Sequence, residues 1–179
     1  TWTEHIGRRN GASSEYRIAG HFDGGDLVEL GYSIARYARG RVGVNVSGEG
    51  RGFDVDQARV DLDLTGAAIE APRQFWRKAA GVAATASLNV ARGDNGSLSL
   101  TNINASGGGL ILRGSARVDA DENLVELNLA RLAVEGRTDA RVSASRAADG
   151  GLDVEVRGRM FDAAPFMAAD TQASGNGAA

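Results

Sequence analysis

Cysteine is absent from this 179-residue chain, so neither a disulfide nor a thiolate metal site can hold it together. Proline occurs only at positions 72 and 165, which leaves long stretches able to keep every backbone N–H in a ladder. Aromatic residues make up 6 % of the chain, too few for a thick core built on large rings. No run approaches the ~20 apolar residues of a membrane-spanning helix. A net charge of −3 supplies no basic field for nucleic acid. Neither of the two histidines, His5 and His21, has a second histidine or a carboxylate at ligand spacing, and no Gly-x-Ser-x-Gly elbow exists. These absences point away from an enzyme, and no cofactor is implied.

Glycine is abundant, with 25 residues, and it punctuates a repeated pattern. From Arg41 to Gly158 short alternating runs such as Val42-Val44-Val46, Val60-Leu62-Leu64 and Leu152-Val154-Val156 are each followed by a turn. Residues two apart in a strand share a face, so each run makes one apolar side and leaves Asp, Asn, Arg, Ser and Thr on the other. The spacing predicts strands over 15–20, 41–49, 53–66, 80–92, 96–106, 109–118, 123–134, 138–147 and 151–160. Turns are expected at Gly48-Glu49-Gly50, Asp94-Asn95-Gly96, Gly107-Gly108-Gly109, Asp119 to Asn123, Gly136 and Asp149-Gly150-Gly151. Connections this short allow only antiparallel neighbours.

Two segments change period. Leu27, Leu30, Ile34 and Tyr37 recur at helical spacing behind Asp23, and Asp162 precedes Phe166 and Met167 in a second Phe-Asp motif. The expected fold is therefore mainly β: a long antiparallel meander sheet, twisted and curled over on itself, with two short helices. Residues 1–170 read as one β-rich, repeat-type segment of a larger protein, and 171–179 as a disordered tail.

The residues expected to share the apolar face include Val42, Val44, Val46, Val60, Leu62 and Leu64. Those taken as candidates for a lipid groove are Val82, Leu88, Val90, Leu98, Leu100, Leu110, Leu112, Leu127, Leu129, Val142, Leu152, Val154 and Val156. Ile103 and Leu132 break the parity of their strands, which predicts bulges there. Such a face must be covered by the sheet itself, a helix, another protein or lipid. Phe75 and Trp76, in a basic-aromatic cluster, are candidates for membrane-interface contact, or else for capping one end of the sheet. Asp119-Ala120-Asp121-Glu122-Asn123 has carboxylates at one-three-five spacing, but Leu124 and Ala130 stand where a calcium loop needs Gly and Glu, so it reads as a solvated turn. Asp61 and Asp63 read as part of a wet face.

The runs Leu110 to Ala120, Leu124 to Leu129, Glu135-Gly136-Arg137-Thr138-Asp139 and Gly158 to Phe166 resemble the AsmA-like superfamily, in particular its YhdP-type branch related to TamB. The resemblance covers roughly Tyr16 to Met167 and carries no catalytic residues. It implies a segment of a periplasmic bridge that holds phospholipid or other lipid acyl chains in an apolar β-groove between inner and outer membranes. It also implies an inner-membrane anchor outside this fragment. The alternative is a structural or assembly module that meets envelope proteins by strand-edge pairing.

Overall fold

The computed structural model describes residues 1–4, 14–23, 37–51, 54–71, 75–93, 95–121 and 123–164. Its strands are β1 (Trp2–Glu4), β2 (Ser14–Asp23), β3 (Ala38–Arg51), β4 (Asp54–Asp63), β5 (Ala67–Glu70), β6 (Arg77–Lys78), β7 (Ala84–Arg92), β8 (Leu98–Gly107), β9 (Leu110–Val118), β10 (Leu124–Val134), β11 (Thr138–Arg146) and β12 (Leu152–Met160). The sheet order is β1-β2-β3-β4-β7-β8-β9-β10-β11-β12, every pair is antiparallel, and the sheet does not close. The chain is thus mainly β, as its alternation requires.

Tight turns make the meander possible. Between β8 and β9 only Gly108 and Gly109 connect the paired residues Gly107 and Leu110. Their φ values of 55° and 78° are both left-handed, the type I′ geometry that suits the twist of the flanking strands. At Asp119 the carboxylate accepts the backbone N–H groups of Asp121 (3.0 Å) and Asn123 (2.8 Å), closing the β9–β10 hairpin. These bonds hold the Asp119 carboxyl below its usual range, with the Asn123 N–H the largest influence.

Three expectations need correction. Gly48-Glu49-Gly50 is not a turn but lies inside β3, where a Gly48 Cβ would stand 2.8 Å from the Gln57 carbonyl oxygen of β4. The glycine serves close strand approach, not chain reversal. The strand expected over 53–66 stops at Asp63, whose carboxylate accepts the Thr65 N–H at 2.9 Å and bends the chain away. Asp23 does not cap a helix: it is the last residue of β2 and pairs with Arg41.

The rest of that first helix, 24–36, lies outside the described residues. At the second site Asp162 does accept the Ala164 N–H (3.1 Å), as an N-cap would, while Phe166 and Met167 lie outside the described residues.

One buried cluster sits at one end of the sheet. At Gly40, with φ 96°, β3 turns out of the main sheet and pairs with β5, which pairs with β6. This small hairpin brings Ala67, Trp76 and Lys78 into a buried group, and Val42, Ala84, Val134 and Thr138 are buried at the matching end of the long strands.

Candidate functional site

Directly opposed residues of an antiparallel pair share a face, so the register shows what each side of the sheet carries. One row runs Gly20, Val44, Leu62, Ala86, Ala105, Leu112, Leu132, Ala140, Gly158 across nine strands. A second begins Ile18, Val46, Val60, Leu88 and, beyond an irregularity in β8, continues Ile103, Gly114, Leu129, Val142, Val156. A third contains Val90, Leu100, Ala116, Leu127, Ala144 and Val154. Neither of the first two rows carries a polar side chain.

Bulges keep these rows intact. The register shifts between Leu100 and Ile103 and between Leu129 and Leu132, where the alternation of the sequence breaks. Asn102, the only described non-glycine residue with positive φ (51°), forms the first of them. One extra residue in the strand returns the following side chains to the apolar side.

Of the candidate groove residues, all but Val82 are strand residues, and the pairing gathers them on this side. Val82 is corrected: it lies in the turn before β7, 42 % exposed, because its carbonyl and its N–H serve the turn around Lys78 and Ala79. Leu64 follows β4, half-buried, with its N–H on the Ala84 carbonyl at 2.9 Å.

Coverage across the face is graded. Leu129 and Leu132 are buried, whereas Ile18 near one edge and Leu152 and Val154 at the other are 54 %, 48 % and 59 % exposed. Among the described residues the contacts between elements run mainly from each strand to its sheet neighbours.

The opposite face is hydrophilic. Asn45, Asp61, Ser87, Asn104 and Arg113 follow one another across it, and Asp61 pairs with Arg59 at 2.8 Å. Two concavities of the sheet, of about 650 and 550 Å³, open on this hydrophilic side. The first is lined by His21, Asp61, Asp63, Asn104 and Arg113, among others.

Trp76 also needs correction as an interface anchor. It is 8 % exposed, and its indole N–H donates to the Gly108 carbonyl at 2.8 Å, so it caps one end of the sheet. Phe75 beside it is half-buried.

Sequence reasoning missed Lys78, the single lysine, which is 4 % exposed. Its ammonium donates to the carbonyls of Ala67 (2.6 Å), Ala79 (3.0 Å) and Val82 (3.0 Å), using all three of its donors. Burial lowers its pKa, opposed by the attraction of Asp63. A lone lysine between Arg77 and Ala79 carries no local signal of this role.

Among the described residues no group of His, Cys, Asp or Glu is placed to hold a metal ion, and no helix is long and apolar enough to cross a membrane. No protein-family model, curated protein or solved structure matches the chain. Its class is defined by geometry: an open antiparallel meander with one aliphatic face and one hydrogen-bonding face.

Proposed function

We propose that this chain is a segment of a bridge-like lipid-transfer protein of the cell envelope, holding lipid acyl chains against its apolar sheet face and performing no chemistry. One observation carries the reading: rows of Val, Leu, Ile, Ala and Gly cross the sheet without a polar side chain, and Ile18, Leu152 and Val154 of this side are exposed near the two edges. Each acyl CH₂ removed from water contributes ~0.8 kcal/mol. These contacts have no direction, so a chain can move from one set of aliphatic residues to the next at little change in energy. The hydrophilic face would meet the aqueous periplasm, and the resemblance to AsmA-like proteins agrees with that placement and with an inner-membrane attachment elsewhere in the protein.

The experiment uses adjacent positions on opposite faces. A photo-crosslinking residue at Leu112 should capture lipid in cells, and the same group at Arg113 should not. Equal labelling at both, or none at Leu112 in a folded protein, rejects the proposal. The edge of β12, unpaired among the described residues, favours a second reading, an assembly module that pairs with an envelope protein. Peptide crosslinked at β12 without lipid at Leu112 would favour it.

A further inference from the structure

We propose that β12 is a self-complementary edge through which two copies of this chain pair antiparallel about a two-fold axis. Among the described residues β12 pairs only with β11, leaving its outer row of N–H and C=O groups unmatched. Every residue of the strand except Val156 is exposed. An exposed edge that runs regularly from Leu152 to Gly158 is a template for another strand.

The charges say which strand fits. On the hydrophilic side of β12 stand Asp153, Glu155 and Arg157, with Arg159 following at a register shift. Their neighbours on β11 do not complement them: Asp153 faces Ser145, Glu155 faces Ser143, and Arg157 faces Arg141. Like charges directly opposed are unfavourable. The carboxylate that meets Arg157 is Glu155 of its own strand, and that pair is largely exposed. Read outward, the order acid, acid, base, base is its own complement when reversed.

A two-fold axis normal to the sheet and centred on Val156 sets Glu155 opposite the second copy's Arg157 and turns Asp153 towards the end of the strand where Arg159 stands beside the register shift. Val156 then meets its own equivalent, and Val154 meets Gly158. Paired residues must share a face, so the register can shift only in steps that keep parity. Centring on Glu155 instead would oppose two carboxylates. The same axis leaves both apolar faces on one side, making one wider aliphatic surface. The interface is isologous and closes at two copies.

Sedimentation of the full chain over rising concentration should show monomer and dimer only. Arg157→Glu with Arg159→Glu makes the edge wholly acidic, and Asp153→Arg with Glu155→Arg makes it wholly basic. Each should raise the dimer dissociation constant about tenfold or more while keeping the β-sheet circular dichroism. Mixed, the two variants should form a heterodimer tighter than either homodimer. A separate measurement uses the absence of cysteine: Val156→Cys should oxidise to a covalent dimer and Val154→Cys should not. A wild-type chain that stays monomeric, a mixture without heterodimer, higher species from head-to-tail pairing, or equal oxidation at both positions overturns the proposal. Pairing of this edge with a different protein is then the reading that survives.

Discussion

Gly114 and Leu129 face one another across β9 and β10, and Leu129 Cδ2 stands 2.9 Å from where a Gly114 Cβ would be. The Asn128 carbonyl crowds the same spot, and backbone cannot move aside as a side-chain tip can. Gly114→Ala should therefore destabilise the sheet by about 1–3 kcal/mol, as overpacking does. Gly20→Ala is the control, because the nearest atom there is the Phe22 ring at 3.4 Å. Urea unfolding should show a lower midpoint for the first and a midpoint at or above wild type for the second.

Lys78 holds three carbonyls in a buried place, so Lys78→Met should leave them without a donor. An unsatisfied buried polar group costs ~1–3 kcal/mol, so the variant should lose roughly 2 kcal/mol or more despite its better match in hydrophobicity. Thermal unfolding checks this, and a gain in stability would show that the ammonium is not needed there.

Asn102 occupies the left-handed region at the first bulge. Asn tolerates that region and β-branched residues do not, so Asn102→Val should cost about 1–2 kcal/mol while Asn102→Gly is close to neutral. Equal denaturation midpoints for the two variants would remove the bulge as an explanation for the register.

Asp162 binds Arg137 Nε at 2.8 Å and accepts the Ala164 N–H, and its carboxyl is held below its ordinary value, chiefly by the Arg137 hydrogen bond. A folded-state pKa below the unfolded one gives stability that is present above the unfolded pKa and lost as pH falls through the folded one. Denaturation midpoints should fall from pH 6 towards about pH 3. In Asp162→Asn the fall should be smaller, with the residual slope left to Asp63 and Asp119, whose carboxyls are also held low.

A carboxylate on the apolar face tests the lipid reading directly. Leu112→Asp or Leu129→Asp in the full-length protein should raise a barrier of several kcal/mol to chains moving along the face, since a bare carboxylate there loses its hydration. Normal outer-membrane lipid supply in cells that carry either folded, correctly delivered variant would contradict it.

The long strands were legible because alternation is a strong, local signal: β7 to β12 end within a few residues of where Ala84–Arg92 to Leu152–Met160 change character. Even the parity breaks at Ile103 and Leu132 mark register shifts. What was not legible depends on contacts remote in sequence. Gly48 and Gly50 look like turn residues until β4 is placed beside them. The β5–β6 hairpin is too short to show a period, so the burial of Trp76 and Lys78 could not be foreseen from their neighbours. The apolar face was legible, but not that the concavities would open on the other side.

Among the described residues each long strand makes most of its close backbone contacts with the strand before it and the strand after it. Such a molecule is nearly one-dimensional, and its stability is largely a sum of neighbour-to-neighbour couplings. Opening should begin at the outer strands and travel inward, so amide protection should rise from β2 and β12 towards the interior of the sheet. Further strands of the same kind could be added at an end without changing how the existing ones are held.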